Sequence, residues 1–514
     1  MPDAPEALRE VAAMRLTART SVSGILLVWA LGLHAAFFVS AGALWRDEAN
    51  SAAQASLPSW SGIWQSLAHD SFPAGYAALL RLWCAHPWNA SDTGLRVFGL
   101  ATGMLLVATF WGAARLLGCR PLVVLALAAA DPLVVTEGDS IRPHGLGLAC
   151  LVWTFALCGR VAEGGGLAWL AAAAAAAVLS VQLVYTSALY VALFSLAAVL
   201  VARGGRARAL VPGAAAALSL VPYARVLARM REWADVVHYR VDWLSFLRGV
   251  ATEHAMDLIL VAAAWTGVVA WGLRPRRAPL RGLSLYSAVV AALALPIQVA
   301  FLEAAGAPPF PRYFLPAVAL LALGSERALE ERSARVRTAA ALVILLASAW
   351  PAWSWVRLRR TNVDQVARAL GGRAQPADLV VVSPWFLHPS FQRYYRGPAP
   401  WITIPELPRD PMTRYLWVKR AMREDDSGER LREHLESVLA RGGSLWYVSQ
   451  RLPETMPAVP RPTPPGAVLR GEDYARFRAF WESDIGARLL ACCRFEVTIA
   501  PGPEPAWREE SLFL

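Results

Sequence analysis

The feature that most constrains this chain is a series of eleven apolar runs, each followed by a charged or polar turn. A helix needs about 20 consecutive apolar residues to cross a bilayer, and most of these runs approach that length. The pattern predicts a polytopic α-helical membrane protein. The runs lie at roughly 22–44, 95–116, 121–137, 143–160, 166–183, 184–202, 209–228, 255–273, 282–303, 312–325 and 337–355.

Composition excludes several other classes of protein. Hydrophobic residues make up 56% of the chain and charged residues 17%, whereas soluble domains contain about 25% charged residues. This excludes a soluble single-domain enzyme and a disordered chain. The six cysteines lack metal-ligand spacing, so neither a zinc site nor a disulfide scaffold is indicated. The net charge of +11 comes from arginines clustered between apolar runs, so we expect no nucleic-acid partner.

The arginines also predict the topology. The first run follows Arg9, Arg15 and Arg19, which favours a cytoplasmic N-terminus. Ala41-Gly42-Ala43 resembles a signal-peptide cleavage site, but the length of the run and the many runs after it favour a span. If the spans alternate, five arginine-rich loops all face the cytoplasm of a bacterium, as the positive-inside rule requires. These loops lie near 115–120, 160, 203–208, 274–281 and 327–337.

The same alternation predicts which segments lie outside the inner membrane. They are residues 45–94, 138–142, 183–187, 229–254 and 304–312 and, because the span count is odd, the tail 357–514. We therefore divide the chain into a membrane domain, 1–356, and an extracytoplasmic domain, 357–514.

The tail has the pattern of a small α/β domain. A helix over Val363–Leu370 precedes an apolar strand, Leu379–Val382, and a second helix, Glu429–Ala440, precedes the strand Ser444–Val448. Helices that alternate with strands are typical of α/β folds.

The outer loop 45–94 holds the most informative residues. It opens with Trp45-Arg46-Asp47-Glu48, and adjacent carboxylates at a membrane interface are costly unless they are solvated, paired or used in chemistry. The loop continues with Asp70-Ser71-Phe72-Pro73-Ala74-Gly75-Tyr76 and an apolar stretch that ends at Trp83. That stretch is too short for a span, and we predict an interfacial helix.

Three further motifs lie at outer ends of spans. They are Asp131-Pro132 with Ser140-Ile141-Arg142-Pro143-His144, then Tyr185-Thr186-Ser187, and Arg312-Tyr313-Phe314-Leu315-Pro316. With the outer loop, they make residues 20–355 resemble the C-type (GT-C fold) membrane glycosyltransferases. The resemblance is to bacterial relatives of the protein O-mannosyltransferases and the lipid A aminoarabinose transferases. The chain departs from that pattern at Phe72, Ala74, Ser140, His144 and Ser187.

The resemblance implies inverting transfer of a sugar from a polyprenyl-phosphate donor to a glycan, lipid or protein acceptor at the outer face of the membrane. Asp47 matches the family's loop aspartate and is the expected general base. Glu48 is the second catalytic candidate. The two carboxylates could instead hold Mg²⁺ or Mn²⁺, or Glu48 could form a structural ion pair with Arg46.

The donor phosphate requires cationic hydrogen-bond donors. The candidates are Arg312, the Tyr313 hydroxyl and Arg142, with Arg46 as a third arginine; alternatively, arginines at span ends serve as interfacial anchors. Further candidates for the substrate site are Asp70, Tyr76, Asp139, His144 and Tyr185. Two other functions remain open: a catalytically altered membrane scaffold, because several motif positions are less polar here, and a transporter of lipid-linked glycans.

Overall fold

The computed structural model of this protein describes residues 4–514 except 204, 238–240, 254, 275–279, 425–426, 452, 454–455, 466–470 and 493–505. The first part of the chain is helical. Its helices are α1 (Ala4–Ser40), α2 (Arg46–Ala55), α3 (Trp60–Ser66), α4 (Ala74–Trp83), α5 (Asp92–Leu116), α6 (Pro132–Gly138), α7 (His144–Ala162), α8 (Leu167–Leu183), α9 (Ser187–Val201), α10 (Arg206–Ser219), α11 (Ala224–Val237), α12 (Trp243–Glu253), α13 (Ala255–Leu273), α14 (Gly282–Ala305), α15 (Leu315–Glu330) and α16 (Ala334–Val356).

The apolar runs are helical, as predicted, but they differ in length. Among the described residues, seven helical segments are long and apolar enough to cross a membrane, which makes this a polytopic membrane protein. They are Val22–Ser40, Asp92–Leu116, His144–Ala162, Arg206–Met230, Ala255–Leu273, Gly282–Ala305 and Ala334–Val356. Helices α8, α9 and α15 are shorter, so the count of eleven spans stays a prediction.

The run predicted at 121–137 is broken in the middle. A π-helical turn, Leu125–Ala129, ends before Asp131, and α6 starts after it. The Asp131 carboxylate accepts the backbone N–H groups of Leu133 and Val134, both at 2.9 Å. Asp131 is therefore the N-cap of α6, and the cap satisfies backbone donors that a helix start leaves unpaired.

Loops predicted on the two sides of the membrane gather at opposite ends of the helices. At one end the Arg203 N–H donates to the Ala162 carbonyl at 2.8 Å, and the Arg120 N–H donates to Glu330 at 3.3 Å. Helix α5 runs from this end to the other, about 37 Å at 1.5 Å per residue. Each of these two bonds joins two loops that were predicted on the same side, and the alternation of the spans as a whole stays a prediction. The orientation of the N-terminus remains a prediction.

After residue 356 short parallel strands alternate with helices. The strands are β1 (Arg359–Thr361), β2 (Leu379–Ser383), β3 (Trp401–Thr403), β4 (Leu445–Ser449) and β5 (Ala506–Glu510), and the helices are α17 (Val363–Gly371), α18 (His388–Tyr394), α19 (Tyr415–Glu424), α20 (Ser427–Ala440) and α21 (Gly471–Cys492). One sheet has the order β3-β2-β4 and the other pairs β1 with β5. Every residue of β2 is buried, as expected for a parallel strand covered on both faces. The helices and strands predicted for the tail are confirmed to within a few residues.

The tail packs on the outer loop. Arg393 and Tyr394 of α18 both bond the Asp92 carboxylate at the start of α5, each at 2.6 Å. The Tyr394 hydroxyl also accepts the Leu44 N–H at 2.6 Å. From α2, the Asn50 side-chain oxygen accepts the Thr413 N–H at 2.8 Å. These contacts place strands β1 and β5 beside the residues that follow the first span.

Candidate active site

Helix α2 carries Asp47 and Glu48 in its first turn, and their side chains point in different directions. The Asp47 side chain is 26% exposed, whereas Glu48 is completely buried. Carboxylates are favourable at this position because the helix dipole and unpaired N–H groups make a helix N-terminus electropositive. Two adjacent acidic residues therefore have different environments and can have different roles.

Asp47 lies among arginines that approach it without short hydrogen bonds. Its Oδ1 is 3.7 Å from Arg46 Nε, and its Oδ2 is 3.8 Å from Arg142 Nη2 and 3.9 Å from Arg312 Nη2. These distances exceed a hydrogen bond. Burial raises the pKa of Asp47 and the surrounding arginines lower it. The combined effect of the arginines is the larger, so the pKa of Asp47 lies below its usual value of 3.8. The arginines responsible, in decreasing order, are Arg142, Arg46, Arg312 and Arg360.

The guanidinium group of Arg142 is held in place by hydrogen bonds to α2 and by an aromatic ring. Its Nη1 donates to the Asp47 carbonyl at 3.3 Å and to Ser51 Oγ at 3.2 Å. Its guanidinium carbon lies 4.6 Å from the centre of the Phe72 ring, and His144 meets that ring edge-on at 5.3 Å. Phe72 thus supplies a cation–π contact that orients the arginine.

Arg312 and Arg360 reach the same cluster from distant parts of the chain. The Arg312 guanidinium carbon lies 4.4 Å from the Phe310 ring centre and 5.7 Å from that of Tyr313. Arg360, on β1, lies 4.6 Å from the Trp45 ring centre and donates to Glu137 at 2.5 Å. The sequence interpretation did not include Arg360; the only signal for it was the cluster of arginines just after the last apolar run.

Glu48 lies in a buried ion pair, which favours a structural role over its predicted alternative as a second catalytic residue. Its two oxygens accept hydrogen bonds from the two terminal nitrogens of Arg96, at 2.8 and 2.9 Å. The Ser140 hydroxyl and the Ile141 N–H also donate to it, at 3.2 and 3.0 Å. A structural ion pair was one of the predicted alternatives, but the partner is Arg96 instead of Arg46. The Ser140 hydroxyl completes this network.

The residues present do not fit a divalent cation at Asp47 and Glu48. Both Glu48 oxygens are committed to Arg96, and Asp47 faces arginines whose charge repels a cation. In the part of the chain that the structure describes, no group of three or more His, Cys, Asp or Glu side chains could hold a metal ion. We therefore derive no step through Mg²⁺ or Mn²⁺.

Asp139 takes part in a buried pair with His34, and its place in the substrate site stays a prediction. Its Oδ1 lies 2.7 Å from His34 Nδ1, and both side chains are buried. The pair joins α1 to the turn between α6 and α7. Gly103 on α5 lies directly beside this pair, so that any side chain at position 103 would overlap with Asp139 and His34.

We expect Gly103→Ala to destabilise the fold. An added Cβ would lie 1.9 Å from Asp139 Oδ1 and 2.3 Å from His34 Nδ1, and overpacking typically costs about 1–3 kcal/mol or more. The measurement is the thermal unfolding midpoint of the purified full chain. Gly24→Ala is the matched control, because a Cβ there meets nothing within 4 Å. Equal midpoints for the two variants would contradict the contact.

The other predicted substrate-site residues lie around the arginine cluster. Burial raises the pKa of Asp70, and the nearby Arg142 offsets part of that rise. Among the described residues, four buried polar atoms at this location have no hydrogen-bond partner: Trp45 Nε1, Tyr76 OH, His144 Nε2 and Tyr185 OH. Unpaired buried polar atoms are uncommon in proteins. The arrangement suits a polar ligand that has several hydroxyl groups.

The fold and this charged site define a polytopic membrane protein that carries a cluster of arginines around a carboxylate just after its first span. The chain is similar to a cryo-EM structure of arabinofuranosyltransferase AftD from mycobacteria, with 19% identity and a TM-score of 0.43, over 70% of this chain and 29% of that one. It is also similar to the structure of a mutant of AftD, with 18% identity and a TM-score of 0.43, over 73% of this chain and 32% of that one. The chain thus spans about a third of the length of these structures. No protein-family model and no curated protein matches it.

Proposed function

We propose that this protein is an inverting glycosyltransferase that uses a polyprenyl-phosphate-linked sugar at the outer face of the bacterial inner membrane. The observation that carries the proposal is the ionised Asp47 carboxylate beside Arg142 and Arg312. Inverting transfer needs a carboxylate that takes the proton of the attacking hydroxyl group. It also needs cations that bind the departing phosphate, at a distance from the carboxylate of about the width of one sugar. The resemblance of the motifs to C-type glycosyltransferases supports the same reaction.

The arginines have two tasks in this mechanism. Arg142 and Arg312, with the Tyr313 hydroxyl as a further donor, bind the donor phosphate and stabilise the charge that it gains as the C1–O bond breaks. The acceptor oxygen forms its bond to C1 from the opposite face, and its proton passes to Asp47. A bound phosphate also offsets the arginine charge that lowers the Asp47 pKa. Donor binding therefore makes Asp47 a stronger base.

The remaining parts of the site are suited to the sugar and the acceptor. The unpaired polar atoms of Trp45, Tyr76, His144 and Tyr185 can bond sugar hydroxyls. The tail contacts α2 through Glu510, which bonds the Arg46 N–H, and through Thr413, whose N–H bonds Asn50. We assign the tail an acceptor-binding or capping role. The N-terminus then faces the cytoplasm and the tail faces outwards, in agreement with the arginine-rich loops.

Removal of either phosphate-binding arginine should weaken transfer. In membranes that contain Arg142→Gln or Arg312→Gln, we expect kcat/KM for the donor to fall about 10- to 100-fold, the equivalent of one or two charge-assisted hydrogen bonds. The assay follows label from radioactive polyprenyl-phosphate hexoses and pentoses into endogenous acceptors.

Arg432→Gln is the control for this experiment, because Arg432 is 54% exposed on α20 and pairs only weakly with Glu436. Unchanged transfer by the double Arg142/Arg312 variant would mean that these arginines are interfacial anchors. If the folded wild-type protein transferred no sugar from any donor, the proposed reaction would be wrong, and a scaffold or transporter would be favoured.

A further inference from the structure

The last strand of the chain ends at the N-terminus of the helix that carries Asp47. Glu510, the final residue of β5, is completely buried. Its Oε1 accepts the backbone N–H of Arg46 at 2.8 Å and the Ser390 hydroxyl at 3.3 Å. Arg46 is the first residue of α2, so its N–H has no partner within the helix. Glu510 supplies that partner from 464 positions along the chain.

Glu510 is itself fixed by strand β1. Thr361 is its partner in the parallel pairing of β1 with β5. The Asn362 side chain donates to the Leu512 carbonyl at 3.0 Å and accepts the Leu512 N–H at 2.8 Å. Because β1 also carries Arg360, one small sheet determines the position of both a cation near Asp47 and the acceptor at the start of α2.

We propose that Glu510 is a positioning residue: by bonding the first N–H of α2, it fixes the orientation of Asp47 relative to Arg142 and Arg312. The inference rests on the proposed transferase function, in which Asp47 is the base. Asp47 belongs to α2, whereas Arg142 and Arg312 belong to other elements. Movement of the α2 N-terminus therefore changes the distance from the base to the phosphate-binding arginines. On this proposal, the tail is part of the catalytic apparatus, beyond its covering role.

The charges around Glu510 give this contact a pH dependence. Burial raises the pKa of Glu510 to about 7, and Arg46 offsets part of the rise while Asp47 adds to it. From the other packed elements, α18 and β1, Ser390 and Thr361 contact it, and neither is charged. A carboxyl whose pKa rises on folding favours docking when it is protonated. The stabilisation by Glu510 is therefore greatest at low pH and is lost as the pH rises from about 4.5 to about 7.

The test is hydrogen exchange at the backbone amides of residues 46–50 in the purified full-length protein, together with the transfer assay. We expect Glu510→Ala to speed exchange at these amides at least about tenfold, the loss of one hydrogen bond of about 1.4 kcal/mol. Its kcat should fall while its KM for the donor stays unchanged. Glu510→Gln keeps the acceptor oxygen and should restore both, with a flatter pH dependence. Glu436→Ala, an exposed carboxylate on α20, is the control.

Several outcomes separate this inference from the proposed function. Faster exchange in Glu510→Ala without any transfer by the wild-type protein would support the capping contact and overturn the transferase. Wild-type exchange and kcat in Glu510→Ala would overturn the positioning role alone. If Glu510→Ala failed to fold, with exchange faster throughout α5 as well, Glu510→Asp would decide. This variant keeps the carboxyl group but is too short to reach Arg46, so it must show faster exchange in α2 alone.

Discussion

Asp47→Asn is expected to abolish sugar transfer and leave the protein folded. A positioned general base contributes about 10²- to 10⁴-fold to the rate, and asparagine cannot accept the acceptor's proton. Asparagine has nearly the same shape, and the Asp47 carboxylate makes no contact with the arginines closer than 3.7 Å. Because the side chain is 26% exposed, solvent screens the charge that is lost. Stability should therefore change little.

The measurement compares labelled sugar transfer with the thermal unfolding midpoint for the same preparation. Asp484→Asn is the matched control, because Asp484 is 24% exposed and pairs with Arg488 one turn further along α21. This variant should transfer sugar at the wild-type rate. Full activity of Asp47→Asn would remove Asp47 from the mechanism. A similar loss in both variants would point to a general effect of the substitutions on the preparation.

Arg96→Met is expected to have the opposite effect, with the fold lost before any effect on chemistry can be measured. The substitution leaves the completely buried Glu48 carboxyl group without its cationic partner. Breaking a buried pair in this way costs about 3–5 kcal/mol, a large share of the stability of a typical domain. Arg96 also donates to the carbonyls of Gly42 and Ala43, at 3.2 and 2.8 Å, so the turn between α1 and α2 loses its support.

The unfolding midpoint and the yield of monodisperse protein measure this effect. The double variant Glu48→Leu with Arg96→Met should recover part of the stability, because removing both charges avoids the unpaired buried carboxylate. A single Arg96→Met variant that folds as well as the wild type would show that the pair contributes little. The neighbouring carboxylates Asp47 and Glu48 are thus distinguished by one measurement of activity and one of stability.

Much of the local structure could be predicted from the sequence. The apolar runs and the helices and strands of the tail depend on hydrophobic periodicity within 5 to 25 residues, which a sequence displays directly. The motifs at the ends of spans point to Asp47, Arg142 and Arg312, and the structure places a nitrogen of each arginine within 4 Å of the Asp47 carboxylate. Their chemical roles remain proposals.

The partners of the acidic residues could not be predicted. Glu48 pairs with Arg96 across 48 positions, and Asp139 pairs with His34 across 105. Nothing in the local pattern distinguishes such residues from exposed catalytic ones, because burial is decided by which helices pack together. Residues Arg360 and Glu510 were missed for the same reason, since both reach the Asp47 cluster through the strands of the tail.

The sequence alone thus determined the membrane class, the elements and the set of charged residues available at the outer ends of the spans. Only the tertiary structure decided which carboxylate is buried in an ion pair and which one stays partly exposed among the arginines. The physical reason is that successive residues of an α-helix are rotated by about 100° around the helix axis, so adjacent side chains point in different directions. Asp47 and Glu48 consequently meet different neighbours, and those neighbours come from distant parts of the chain.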